Sequence, residues 1–125
     1  MNPNTQSAIN YIDSALERVS REYPIGQHAW GVEYDEKEAE WQWDGDTVCA
    51  IGAVTLLEQP RWEDNGPADA CRRIFYQFEI DPDGISDGWD GSDMDTYAGE
   101  RLSYLRGYGI GRLLARRWAD RMQDA

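Results

Sequence analysis

The segment from Val48 to Leu57 constrains the fold most strongly, because its ten residues are almost wholly apolar. This length allows about three helical turns, and a helix that is apolar on every side needs cover from several directions. The preceding residues 44–47 supply turn and N-cap side chains. We therefore predict a buried central helix over 48–57.

Residues 5–22 have the periodicity of an amphipathic helix, with apolar side chains three and four positions apart. Asn4 or Thr5 can cap its start, and Pro24 follows its end. The predicted buried face consists of Ala8, Ile9, Ile12, Ala15, Leu16, Val19 and Tyr23.

Between these two helices the apolar period changes to two on either side of the charged stretch 35–38, which predicts a short antiparallel β-hairpin near residues 29–44. One face of a hairpin must be buried, so we expect its tryptophans to cover the helices. The alternating apolar residues are Trp30, Val32, Tyr34, Ala39, Trp41 and Trp43.

The second half of the chain has weaker patterns. Pro67 suits the first position of a third helix. We predict an irregular acidic loop over residues 80–96, because Pro82 and three glycines interrupt this stretch. A fourth helix begins near Tyr97, and the glycines of 107–111 form a flexible joint before a last helix. The buried face of the third helix is predicted to be Cys71, Ile74, Phe75 and Phe78.

Together these elements predict an α+β fold with four to five helices around one core, and a single acidic globular domain over residues 1–125. Six Trp and seven Tyr argue against disorder. The chain has no apolar run of about 18 residues, and its first residues lack the pattern of a signal peptide, so we expect a cytoplasmic location. Cys49 and Cys71 are then expected to be free thiols.

Charge is distributed unevenly along the chain. Residues 31–100 contain nineteen Asp and Glu against four Lys and Arg, a net charge of −15, whereas residues 101–125 have a net charge of +4. An acidic surface repels phosphate, so direct nucleic-acid or membrane binding is not expected. We expect Arg112 to Arg121 to provide the counter-charge.

Acids mixed with tryptophan and tyrosine suit a basic, arginine-rich partner. A width of about 35 Å matches about one turn of duplex, with about twenty phosphates, so −15 is of the right order for nucleic-acid mimicry. We expect a non-enzymatic inhibitor of a basic nucleic-acid-binding protein, of the phage anti-defence type. The predicted partner-binding residues are Glu33, Asp35, Glu36, Glu38, Glu40, Asp83, Asp87, Asp90, Asp93, Asp95, Trp62 and Trp89.

Two other functions remain open. Cys49 lies near the start of the central helix, where a thiolate is stabilised, and His28 is the only histidine, so the pair would suit a small thiol-dependent enzyme. The chain would otherwise be a salt-adapted acidic domain without a special partner. We predict no cofactor and no metal. An EF-hand register from Asp83 fails because it places Met94 where a carboxylate is required, while an irregular cation site within residues 81–95 stays an alternative.

The motif Val48-Cys49-Ala50-Ile51-Gly52-Ala53 resembles the Trp-Cys-x-x-Gly-Ala core of a family of short uncharacterised actinobacterial and phage proteins. The likeness includes an amphipathic helix on each side of the core, about half of the chain. Val48 stands in place of the family's Trp. The family's downstream Trp-Asn-Asp motif has no clear counterpart in this chain. The family has no established activity, so the resemblance implies only a phage or high-GC bacterial origin.

Overall fold

The computed structural model describes residues 3–96 and 101–122. Within them the chain forms six α-helices, a two-stranded antiparallel sheet and a final 3-10 turn, which confirms the predicted α+β class. No helix in this part of the chain is long and apolar enough to cross a membrane. The elements are α1 (Pro3–Ser20), β1 (Val32–Asp35), β2 (Glu40–Trp43), α2 (Ala50–Glu58), α3 (Pro67–Ala70), α4 (Arg72–Tyr76), α5 (Pro82–Asp90), α6 (Leu102–Trp118) and the 3-10 turn (Ala119–Arg121).

Helix α2 is the buried central helix that the apolar segment predicts. Its first six residues, 50–55, are all buried. Its N-cap is Cys49, whose Sγ accepts a hydrogen bond from the backbone N–H of Gly52 at 3.3 Å. Helix α1 packs against α2, and the six residues from Ala8 to Val19 that we predicted to be buried are buried. Tyr23, beyond the end of α1, is only partly buried.

The hairpin forms where the period of two predicts it, with Val32 opposite Trp43 and Asp35 opposite Glu40. Of the three tryptophans in this region, only Trp41 is buried, whereas Trp30 and Trp43 are 37% and 39% exposed. The expectation that all three tryptophans cover the helices is therefore wrong for two of them. The side-chain amide of Gln59 bonds to both the N–H and the C=O of Trp41, at 2.6 and 2.8 Å, and so takes the place of a neighbouring strand.

The predicted third helix is two short helices. It begins at Pro67 as expected, but α3 ends before Cys71 and α4 continues from Arg72. Cys71 and Phe75 are buried, and Ile74 and Phe78 pack against the core while remaining partly exposed.

Residues 82–90 form helix α5, so the prediction of an irregular loop here is wrong. Asp81 caps the helix by accepting the N–H of Asp83 at 3.0 Å, and Pro82 occupies the first turn. Gly91 ends the helix in the left-handed conformation, with a φ of 70°. The proline and the last glycine are thus helix-boundary signals.

Helix α6 runs without interruption through Gly107, Gly109 and Gly111, so the predicted flexible joint is also wrong. A methyl group on Gly107 or Gly111 would overlap the backbone of α5, as would one on Gly84 or Gly88 against α6. These glycines let the two backbones pack in direct contact, and this contact offsets the weak helix propensity of glycine. The predicted helix start near Tyr97 lies outside the described residues.

Candidate binding site on helix α5

Helix α5 has two chemically different faces. Gly84 and Gly88 contact the backbone of α6. A polar stripe occupies another face, because positions i, i+3, i+4 and i+7 of a helix lie on one side. The stripe consists of Asp83, Ser86, Asp87 and Asp90.

A depression of about 470 Å³ lies between this stripe and Trp30. Trp30 precedes β1, and its indole is partly exposed at the depression. The backbone N–H of His28 donates to Oδ1 of Asp90 at 2.9 Å, which attaches the segment leading into the hairpin to the end of α5. Asp95, Arg101 and Tyr104 complete the lining.

The carboxylate of Asp87 is held in place by α6. The buried Tyr104 donates its hydroxyl proton to Oδ2 of Asp87, and the same hydroxyl oxygen accepts the N–H of Asp95 at 3.0 Å. The pKa of Tyr104 is raised to about 12, mainly by burial and to a smaller extent by the hydrogen bond to Asp87. Tyr104 therefore stays protonated at neutral pH and acts as the donor.

Burial raises the pKa of Asp83 and of Asp90, because a desolvated carboxylate resists ionisation. Ser86 is 9% exposed, and its hydroxyl has no hydrogen-bond partner among the described residues. A buried hydroxyl without a partner costs about 1–3 kcal/mol. Ser86 thus contributes to the stripe a polar group that does not serve stability.

We expect the variant Asp90→Asn to be more stable than the wild type at pH 7. Because the folded-state pKa is raised, protonation of Asp90 favours folding at low pH, and this contribution is lost as the pH rises through that pKa. The carboxylate also lies at the C-terminus of α5, where negative charge is unfavourable. Urea unfolding from pH 3 to 8 measures the difference, which should vanish below the unfolded pKa of about 3.9. A variant less stable than wild type at pH 7 would contradict this reasoning.

The counter-charge for α5 comes from Arg72, not from the basic end of the chain. Its Nη2 lies 2.6 Å from Oδ2 of Asp83, and its Nη1 lies 3.3 Å from Oδ1 of Asp81. Of the arginines that we expected to fill this role, Arg117 and Arg121 pair instead with Asp13 and Glu17 of α1. Within the described residues, Arg112 contacts the ring of Tyr108 rather than a carboxylate.

The predicted hairpin acids form a separate group. Glu33, Glu36, Glu38 and Glu40 are exposed. Asp35 accepts the backbone N–H groups of Lys37 and Glu38 and so stabilises the turn. In the described part of the chain, no hydrogen bond or ion pair joins this group to Asp83, Asp87 or Asp90.

The two predicted interface tryptophans differ. Trp62 is 46% exposed and packs on Tyr34, with the ring centroids 6.0 Å apart. Trp89 is fully buried, and its Nε1 donates to the carbonyl of Gly26 at 2.7 Å. Its assignment to a partner surface is therefore wrong, because α5 directs this side chain into the core. Asp93 lies in the exposed segment that follows α5.

Cys49 and His28 do not supply the exposed thiolate that a thiol-dependent enzyme needs. Cys49 is 3% exposed, and burial raises its pKa to about 12. The backbone N–H groups of Gly52 and Ile51 act in the opposite direction but do not reverse this shift. His28 is exposed, with a φ of 71°.

We expect Cys49 to resist alkylation by iodoacetamide in the folded protein at pH 8, because its thiol is both buried and protonated. Burial raises the pKa of Cys71 to about 11, so Cys71 should resist alkylation in the same way. Mass spectrometry of native and urea-unfolded samples measures the modification. Stoichiometric labelling of Cys49 in the native sample within minutes would contradict the expectation.

Other features of the surface are less suited to a ligand. A groove of about 740 Å³ beside α4 contains three arginines, and the guanidinium groups of two of them, Arg72 and Arg106, are already paired with carboxylates. Among residues 3–96 and 101–122, no group of three or more His, Cys, Asp or Glu side chains is arranged to hold a metal ion.

No sequence pattern assigned Trp30, Ser86, Tyr104 or Arg101 to a site. A signal for the polar stripe was present: polar residues recur at 83, 86, 87 and 90 directly after a Pro at the first helical position. The partners from α6 carry no such local signal.

Comparisons of the chain with protein-family models, with curated proteins and with solved structures find no match. The resemblance through the Cys49 motif stays a prediction, and the function has to be inferred from the residues of the site itself.

Proposed function

We propose that this protein is a non-enzymatic acidic interaction module, which inhibits a basic nucleic-acid-binding partner by occupying the partner's nucleic-acid site. The observation that carries the proposal is a net charge of −12, which means that the protein has more carboxylates than its own basic groups can pair with. Four hairpin glutamates are exposed, and the stripe on α5 adds Asp83 and Asp87 beside Trp30 and Asp90 at the end of the helix. Surfaces of this kind attract cationic proteins over long range.

A cytoplasmic location and a phage anti-defence role are part of the same proposal. Defence proteins that act on nucleic acid offer basic grooves in the cytoplasm, and the chain's size and charge are of the order of one duplex turn. The buried, protonated Cys49 supports a role without covalent catalysis.

Affinity capture from bacterial lysate, with identification of the bound proteins, tests this function. We expect the captured proteins to bind nucleic acid, and we expect duplex DNA or 0.5 M NaCl to release them. The test variant replaces Glu33, Glu36, Glu38 and Glu40 with Gln and should lose capture.

A matched control makes the same change in net charge at scattered exposed positions, Glu22, Glu63, Asp64 and Asp120. It should retain most of the capture. If the two variants behave alike, or if capture is unaffected by duplex DNA, the proposed mimicry is wrong.

A further inference from the structure

We propose that the depression between Trp30 and α5 binds a single guanidinium group, the side chain of an arginine that the partner inserts there. This inference rests on the proposed function, and it identifies the group that the acidic surface recognises. Three observations carry it: the carboxylates in the wall, the exposed indole at the edge, and the hydroxyl without a partner in the lining.

The carboxylates of Asp83 and Asp87 retain the capacity to bind a cation. The described contacts use one oxygen of Asp87, for Tyr104, and one oxygen of Asp83, for Arg72. An ionised carboxylate has two oxygens and about four acceptor positions, so each can accept further hydrogen bonds. Three carboxylates and the guanidinium of Arg101 give the lining a formal net charge of −2, and Arg72, which lies outside this lining, is paired with Asp83.

Ser86 distinguishes this depression from an ordinary solvated acidic patch. Ser86 lines the depression and is nine-tenths buried, and its buried hydroxyl has no partner within the described residues. A hydroxyl can accept an N–H hydrogen bond, and the five N–H donors of a guanidinium can reach a hydroxyl and a carboxylate at the same time. A bound guanidinium would therefore satisfy a group that folding alone leaves unsatisfied.

Trp30 favours arginine over lysine. Its indole is 37% exposed at the edge of the depression. A planar guanidinium stacks on an aromatic ring while its edge forms paired hydrogen bonds with a carboxylate, whereas an ammonium is a compact and more strongly hydrated charge. Tyr104 supports this geometry because it holds Asp87 in place.

The test is a titration with N-acetyl-L-argininamide, followed by the NMR signal of the Trp30 indole N–H. We expect saturable binding with a Kd of about 1–10 mM, as befits a single small cation. N-acetyl-L-lysinamide should bind about fivefold more weakly, because it loses stacking and paired hydrogen bonds. N-acetylglycinamide should not bind.

Variants should change the affinity in opposite directions. Asp87→Asn, which can still accept the Tyr104 hydroxyl, should weaken binding about fivefold, and Arg101→Gln should tighten it about twofold because a like charge is removed. Ser86→Ala should weaken binding two- to threefold, about the loss of one neutral hydrogen bond, while the thermal midpoint rises. Thr47→Val removes the other buried hydroxyl without a partner and should leave binding unchanged.

Equal responses to the arginine and glycine probes, or tighter binding by Asp87→Asn, would overturn the inference. Tenfold tighter binding of free L-arginine than of the capped probe would assign the site to a small metabolite and overturn the partner assignment. If the arginine probe does not bind but the protein still captures basic proteins, the result would refute binding in this pocket alone. Probe binding without capture would refute the proposed inhibition instead.

Discussion

Replacing Gly111 with Ala should lower the free energy of unfolding by about 3 kcal/mol, the upper end of the usual cost of overpacking. Its added methyl group would overlap the backbone of α5, with the carbonyl of Ile85 and the N–H of Trp89 as the nearest atoms. Backbone atoms cannot move aside as a flexible side chain can, so the two helices would have to separate. For a chain of this length the thermal midpoint should fall by about 10 °C.

The matched control is Gly109→Ala, two residues earlier in the same helix. Apart from its chain neighbours and the backbone of its own helix, a methyl group there has no atom of the described residues within 4 Å. This variant should gain about 0.5–1 kcal/mol, because alanine loses less backbone entropy than glycine in a helix. Urea unfolding of both variants measures the contrast, and equal stabilities would contradict the direct packing of α5 on α6.

Replacing Trp89 with Ala should cost about 3–5 kcal/mol, because it removes a large, fully buried side chain and leaves a cavity. The change also removes the hydrogen bond from Nε1 to the carbonyl of Gly26. Trp62→Ala is the control, and at 46% exposure it should cost about 1 kcal/mol or less. Comparable losses in the two variants would contradict the assignment of Trp89 to the core.

The parts of the fold that depend on local patterns were predictable from sequence. The apolar spacing of α1 and the continuous apolar segment of α2 each indicate their burial directly, and the period of two places the hairpin. These signals are strong because each buried face is contained in a single segment.

The glycine-rich helices were not predictable in the same way. Glycine has a low helix propensity, so Gly84 and Gly88 favour a loop when α5 is considered alone. Their function depends on Gly107 and Gly111, which lie at least 19 residues further along the chain and form part of the surface against which α5 packs. Only the tertiary structure shows that the four glycines form one contact.

The candidate site was likewise only partly predictable from the sequence. The acids of α5 were predicted, but the structure shows that the helix separates them from Trp89 and places Asp83 and Asp87 beside Trp30. The counter-charge from Arg72 and the hydroxyl of Tyr104 come from other helices, and no local pattern in the sequence pairs them with Asp83 or Asp87.

The central claim is that the acidic face of α5 binds a cationic partner, and calorimetric titration with an arginine-rich peptide tests it most directly. We expect the Kd to weaken at least about tenfold between 50 and 300 mM NaCl, because the attraction is electrostatic. The double variant Asp87→Asn and Asp90→Asn should lose most of the affinity, whereas Glu63→Gln with Asp64→Asn should keep it. No binding at 50 mM NaCl, or equal affinity in both double variants, would contradict the claim.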